Sequence, residues 1–301
     1  MHGVHDLLVE YNVIYNIMGL AFFLEDAVEE RNVLRYNLGV MVKKSASLLN
    51  LDSTPAVFWI PNPNNIFYGN RAVGSSHFGY WFNPPDKPTG PSGKDPQYQN
   101  FCVKNRPLGQ FYNNTAHSLG KYGLWIFTDL TPTGPNGVCG EKMPKASRFG
   151  QVPASNENGP IPADTFGFFA WHCERGAEIA TGGAIQFHNF IAANNWIAGL
   201  AGKETFLDTF ADPDNEERSQ LFKHNIVIGH LDGDKELEAC GDMGIETPWK
   251  KFAFTVDDID AVFYRTYPLL YHKFENIVFF RSGNLYSLCS PGNEDYQKIT
   301  H

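Results

Sequence analysis

Apolar residues come in short bursts along this chain, and each burst follows an asparagine and a small residue. The copies read Asn16-Ile-Met-Gly-Leu-Ala-Phe-Phe-Leu24, Asn70 to Gly79-Tyr-Trp-Phe82, and Asn114 to Gly123-Leu-Trp-Ile-Phe127. Weaker copies run through Cys173 to Ala177-Glu-Ile179 and Asn195 to Gly199-Leu200. A unit this short cannot bury its own apolar side, so successive units must stack on one another. Between the bursts lie further branched and aromatic runs: Val33-Leu-Arg-Tyr36, Ala56-Val-Phe-Trp-Ile60, Asn65-Ile-Phe-Tyr68, Ala184-Ile-Gln-Phe187 and Asn225-Ile-Val-Ile228. These predict β-strands. Helical periodicity is confined to Val4–Glu10 and Asp257–Tyr264, each of which predicts a short helix.

Strands at roughly 20-residue intervals with tight Asn turns fit a parallel β-helix better than a sandwich. Asn tolerates left-handed backbone, and its amide can bond to the Asn of the next coil. Asn64-Asn65, Asn113-Asn114 and Asn194-Asn195 are read as such ladders. The expected fold is therefore all-β, a parallel β-helix whose coils fill residues 1–235. Pro- and Gly-rich surface loops are expected at about 83–100 and 131–164. Residues 236–301 form terminal coils or a cap, since the end of a solenoid must be protected.

Composition narrows the partners. The chain has 301 residues, a formal net charge of -9 and 43% hydrophobic residues, which is globular and argues against nucleic acid or an anionic membrane surface. A neutral glycan remains compatible. No run approaches the roughly 18–20 apolar residues of a membrane span. The start, Met1-His-Gly-Val-His-Asp6, lacks the pattern of a signal peptide, leaving a cytosolic protein or a piece of a longer one. Cysteines 102, 139, 173, 240 and 289 form no CxxC pair. Cys102 and Cys139 flank the second excursion and are read either as its disulfide or as free thiols. Asn113-Asn-Thr115 is a glycosylation sequon.

Many longer words resemble one family. They include Gly19-Leu-Ala-Phe-Phe-Leu-Glu-Asp26, Thr54-Pro-Ala-Val-Phe-Trp-Ile60, His77-Phe-Gly-Tyr-Trp81, Pro107-Leu-Gly-Gln-Phe111 and Gly183-Ala-Ile-Gln-Phe-His-Asn-Phe190, in order over about residues 5–260. The chain resembles the family of fibrocystin, fibrocystin-L and the cell-surface and cell migration-inducing hyaluronidases. The resemblance implies a right-handed, pectin-lyase-type β-helix following a G8 domain in a large extracellular, cell-surface or ciliary protein. No G8 domain is found in this sequence. The catalytic proposals of that family lie largely N-terminal to the matching stretch, so the resemblance implies the scaffold more strongly than an activity.

For chemistry, His77 and His117 precede Gly-aromatic bursts and are read as a possible stacked pair for metal or acid–base work. Hydrogen-bonded structural histidines are the preferred alternative. Glu25, Asp26, Asp129 and Glu178 lie at or past the ends of comparable strands, and His188 joins them as a candidate. Enzymes of this fold use such carboxylates for calcium or for hydrolysis. A solvated acidic rim is the simpler reading, with no cofactor required and Ca2+ the one ion considered. Arg35, Arg71, Arg175 and Lys43 are too dispersed to define a lyase base. Phe23, Trp81, Trp125 and Ile179 are aligned as one inward core stack, an outward sugar platform being the alternative. The expected role is a non-catalytic extracellular module that meets neighbouring domains, copies of itself or a glycan. A polysaccharide-degrading enzyme is the competing reading.

Overall fold

The structure is a computed structural model that describes residues 1–46, 53–127, 130–132, 161–196, 198–205, 220–229, 252–257, 272–280 and 287–289. Eight coils stack along one axis, each giving one strand to each of three parallel sheets. The first coil is β1 (Leu8–Glu10), β2 (Val13–Met18) and β3 (Leu20–Phe23). The second is β4 (Val33–Arg35), β5 (Leu38–Lys43) and β6 (Ala56–Ile60), and the third is β7 (Ile66–Tyr68), β8 (Arg71–Val73) and β9 (Phe78–Phe82). The fourth is β10 (Gln110–Tyr112), β11 (Thr115–His117) and β12 (Tyr122–Ile126), and the fifth is β13 (Ala163–Phe166), β14 (Phe169–Trp171) and β15 (Arg175–Gly182). The sixth is β16 (Ile185–His188), β17 (Ile191–Ala193) and β18 (Ala198–Thr205). β19 (Gln220–Lys223), β20 (Ile226–Ile228) and β21 (Phe252–Asp257) make the seventh. β22 (His272–Glu275), β23 (Val278–Phe280) and β24 (Ser287–Cys289) make the last. Every described pairing is parallel, and the fold is the expected right-handed parallel β-helix.

Two residues separate the first-sheet strand from the second-sheet strand in all eight coils. The first of the two is always left-handed: Tyr11, Tyr36, Gly69, Asn113, Gly167, Asn189, His224 and Asn276 all have positive φ. The second is Asn12, Asn37, Asn70 and Asn114 in the first four coils. These amides form a ladder. Asn12 Nδ2 donates to Asn37 Oδ1 at 3.0 Å, Asn37 Nδ2 to Asn70 Oδ1 at 3.0 Å, and Asn70 Nδ2 to Asn114 Oδ1 at 3.2 Å. The backbone amides of Asn37 and Asn70 also donate to the next rung, so the ladder satisfies polar groups that the turn would otherwise strand. Within the expected dipeptides, Asn113 and Asn194 take the left-handed position while buried Asn114, Asn65 and Asn195 bond to neighbouring coils.

The core fills the coil interior by the period-two pleat. The first sheet sends Leu34, Phe67, Phe111, Phe187 and Phe222 inward, and the third sends Phe22, Phe58, Tyr80, Leu124, Ala177 and Leu200. Phe22, Phe58 and Tyr80 stack at 4.7 and 4.6 Å, nearly parallel, which is the spacing of the strands that carry them. Buried side chains of this size each contribute about 1.5–3 kcal/mol. The second sheet contributes small inward residues, Ala72, Ala116, Ala170 and Ala192. Gly79 and Gly123 stay small for a related reason, because a Cβ on Gly79 would approach the Gly123 carbonyl oxygen at 2.6 Å and one on Gly123 would strike that of Gly176.

The expected helix at Val4–Glu10 is not formed. Leu8–Glu10 is β1, in register with Val33–Arg35. Asn32 fixes the preceding backbone, accepting from Leu7 N and donating to Val4 O, both at 3.0 Å, and the left-handed Asp6 between them breaks any helical turn. The second expected helix lies outside the described residues beyond Asp257. The Pro-rich run after β9 is a loop with two short 3₁₀ turns, Ser92–Lys94 and Pro96–Tyr98. The excursion at 133–160 lies outside the described residues.

Candidate functional site

The outer face of the third sheet carries Phe23, Trp59, Trp81 and Trp125 in one register column. Phe78, Trp59 and Trp81 close into a hydrophobic cluster separate from the coil interior, with Leu20, Phe23, Tyr122 and Trp125 packed against it. Trp59 is 4% exposed and Trp81 5%, so this ridge is sealed by its own rings and offers no open sugar platform there. Trp81 Nε1 donates to Phe127 O at 2.8 Å, and Trp125 stacks on exposed Phe127 at 4.8 Å. The inward stack expected of Phe23, Trp81, Trp125 and Ile179 is therefore corrected. The three aromatics point outward, and Ile179 points inward in register with Ile126. One residue of offset changes the face, because strand side chains alternate.

Glu178 takes the rung after Trp125 in that column. Its Oε1 accepts from Trp125 Nε1 at 3.0 Å and its Oε2 from Arg175, whose guanidinium lies 5.7 Å from the Tyr122 ring. Buried and bonded in this way, Glu178 anchors the end of the aromatic ridge. Four strand spacings, or ~19 Å, separate its rung from β3. The structure thus does not bring Glu178 together with Glu25 and Asp26, and Asp129 lies outside the described residues.

The histidines do not make a column either. His117 pairs with Val73 and Trp171, while His77 sits just ahead of β9, level with Lys121. His117 stacks on Trp171 at 4.2 Å and His77 contacts Ser76 Oγ at 3.2 Å. Both imidazoles are pushed below their ordinary pKa. Desolvation is the main cause, followed by Lys44 and Lys121 at His77 and by His172 and Arg71 at His117. His188 stacks on Phe166 at 4.7 Å and approaches Gln186 Oε1 at 3.2 Å and Asp164 Oδ1 at 3.5 Å. Each of the three thus has its own local partners, and the structure does not bring them together.

Glu25 and Asp26 sit where the first coil turns back, and here the structure assembles polar groups. His2 Nδ1 lies 3.2 Å from Glu25 Oε2 and 3.4 Å from Asp26 Oδ1. The loop after β9 folds down onto the turn. Thr89 N donates to Asp26 O at 2.9 Å, and Ser92 donates to Asp26 Oδ2 through its amide at 3.1 Å and its hydroxyl at 2.5 Å. Asp26 is 0% exposed, and its Oδ1 accepts no hydrogen bond. Fully buried Glu29 accepts from Gly3 N and Asp26 N through Oε1 and leaves Oε2 without a donor. Buried Glu30 is held by Arg106, which reaches it from beyond the same loop. His2 is one of the two histidines that open the chain, whereas nothing in the sequence singles out Glu29 or Arg106. The run Glu25-Asp-Ala-Val-Glu-Glu30 did signal four carboxylates in six residues, but nothing in its pattern shows that three of them are buried.

Nearby, Lys87, Pro88, Gly93, Tyr98, Gln99 and Asn100 line a cavity of about 280 Å³ within the loop. Cys102 is disulfide-bonded, and Cys139 lies outside the described residues. Asn113 is exposed at its left-handed turn, so the sequon is accessible.

Comparison with known proteins places this architecture. Residues 1–124 match the CEMIP beta-helix family. Mouse Fibrocystin-L is 43% identical over 232 residues, covering 77% of this chain and 5% of the relative, and the human protein is 41% identical over the same length. Over most of its length this chain is similar to Fibrocystin-L. The human cell migration-inducing and hyaluronan-binding protein is 36% identical over 116 residues, 31% of this chain and 8% of that protein. The fibrocystin-L-like chain thus spans about a twentieth of the length of the Fibrocystin-L relatives it matches. No helix among the described residues is long and apolar enough to cross a membrane.

Proposed function

We propose that the chain is a non-catalytic β-helix module of a larger extracellular or cell-surface protein, a rigid scaffold that packs against neighbouring domains of the same polypeptide. The outer face of the second sheet carries this reading. Two register columns run along it: Val13, Leu38, Arg71, Thr115, Phe169, Ile191, Ile226 and Val278, then Tyr15, Val40, Val73, His117, Trp171, Ala193, Ile228 and Phe280. Val13, Tyr15, Val278 and Phe280 are more than half exposed. These exposed apolar side chains fall in the first and last coils, the two ends of the stack that a flanking domain would cover. The small share of its relatives that the chain spans makes a neighbouring domain the natural cover. The dispersal of Glu178, His77, His117 and His188 from Glu25 and Asp26 supports a role without catalysis.

A second reading, action on a polysaccharide, is favoured by the grouped His2, Glu25 and Asp26 and by relatives named for hyaluronan binding and for cell-surface hyaluronidase activity. One experiment separates the two. The chain is incubated with hyaluronan and a panel of other polysaccharides, and polymer length is followed by gel and light scattering. Unchanged length supports the scaffold reading. Shortening that disappears in Glu25→Gln and Asp26→Asn would replace it with the enzymatic one.

A further inference from the structure

We propose that His2, Glu25 and Asp26 form a site for a divalent first-row transition cation of zinc type, which clips the first turn of the chain and the loop after β9 to the first coil. The inference does not depend on whether the module acts on a glycan.

The argument begins with an unmet demand. Asp26 is fully buried, and two donors from Ser92 satisfy only its Oδ2. Its Oδ1 points toward the His2 ring and accepts nothing. A buried carboxylate oxygen without a donor is costly, and buried charges are normally paired or bound to metal. Among the described residues, no Lys or Arg pairs with Asp26 or Glu29. A proton on His2 Nδ1 can be aimed at only one acceptor, yet Nδ1 faces two carboxylates.

The two separations from His2 match a metal. A tetrahedral ion with bonds of ~2.0–2.1 Å holds its donor atoms about 3.3 Å apart. His2 Nδ1 lies 3.2 Å from Glu25 Oε2 and 3.4 Å from Asp26 Oδ1, and the three donor atoms fall within 4.8 Å of one another. An imidazole nitrogen with two carboxylate oxygens suits zinc and its neighbours, whereas calcium takes six to eight oxygens. His2 and Glu25 are half exposed, so a fourth position opens to water. Ser92 acts as the outer support that orients Asp26. Gly90 lies over Oδ1, where a Cβ would collide with it, so the loop closes the inner side of the site.

The test uses the untagged chain stripped with a chelator and titrated calorimetrically with Zn2+, Mn2+ and Ca2+ separately. Binding of one Zn2+, at least tenfold tighter than Ca2+, is expected. Glu25→Gln and His2→Gln change half-exposed groups and should leave the far-ultraviolet spectrum of the fold intact. Each should weaken Zn2+ by at least the roughly 10–100-fold that loss of an outer-shell partner costs. Zinc should also slow amide exchange in residues 86–93 of the wild type and not of H2Q. Failure of folded wild type to bind Zn2+ below millimolar concentration, unchanged affinity in both variants, or a preference for Ca2+ would each overturn the assignment.

Discussion

Asn70 is the rung on which the ladder argument can be tested most severely. Its buried side chain makes four hydrogen bonds. Nδ2 donates to Leu34 O at 2.7 Å and to Asn114 Oδ1 at 3.2 Å, and Oδ1 accepts from the backbone N and Nδ2 of Asn37, both at 3.0 Å. Asn70→Ala removes all four and strands groups that water cannot reach. At about 1 kcal/mol net per bond, with an added penalty for the orphaned Asn37 amide, the loss comes to about 4–5 kcal/mol. With a urea m-value of about 2–3 kcal/mol/M, the denaturation midpoint should fall by about 1.5–2 M. Asn12→Ala is the matched control, because Asn12 is exposed and its side chain donates only to Glu10 O and Asn37 Oδ1. It should cost about 1 kcal/mol or less. Asn70→Asp keeps the two acceptor roles but sets carboxylate oxygens against Leu34 O and Asn114 Oδ1, so it should be no better than alanine at neutral pH. A midpoint for Asn70→Ala equal to that of Asn12→Ala would refute the claim that the ladder holds the coils in place.

Gly123→Ala drives a methyl against the Gly176 carbonyl and places it 3.0 Å from Ala170 Cβ, so a loss of about 2–3 kcal/mol is expected by chemical denaturation. Arg106→Ala leaves buried Glu30 with only the distant Arg31 guanidinium, at 3.7 Å. It should cost about 2–3 kcal/mol and speed proteolysis between residues 84 and 106. His77 and His117 have folded-state pKa values below the ordinary imidazole value of about 6.5. The unfolded chain therefore binds protons at a pH where the folded chain does not. Stability should be undiminished above pH ~6.5 and fall as the pH drops from there toward the depressed folded values. Urea midpoints from pH 7.5 to 5.5 should show this slope, and the double variant His77→Asn, His117→Asn should flatten it.

The fold could be read from the sequence because stacked coils repeat their physical requirements. Asn70 and Asn114 each head a repeat at the turn into the second sheet, and the runs at Ala56–Ile60 and Gly123–Phe127 fall on strands to within a residue. Face assignment was harder. The alignment of Ile179 with Trp125 missed by one position, and one position decides between coil interior and outer ridge. The polar cluster was less legible still. Glu25 and Asp26 were visible as candidates, but Ser92 reaches Asp26 across 66 positions, and Arg106 reaches Glu30 across 76. Contacts made by a folded-back loop follow no period, so no pattern of apolar residues announces them. Local propensity misled at Val4–Glu10, where pairing with β4 outweighs a weak helical signal.

The two-residue corner between the first and second sheets has a bearing on how this chain can change. Every long insertion falls at one of the other two corners, where segments as different as the two-residue link from β15 to β16 and the excursion after β12 return to the same register. One corner sets the phase of the solenoid and the other two absorb variation in length. Segments grafted at the tolerant corners should leave the stack intact. A single residue added beside Asn70 or Asn114 would turn the following strand over, exposing its core side chains to solvent and burying its polar ones.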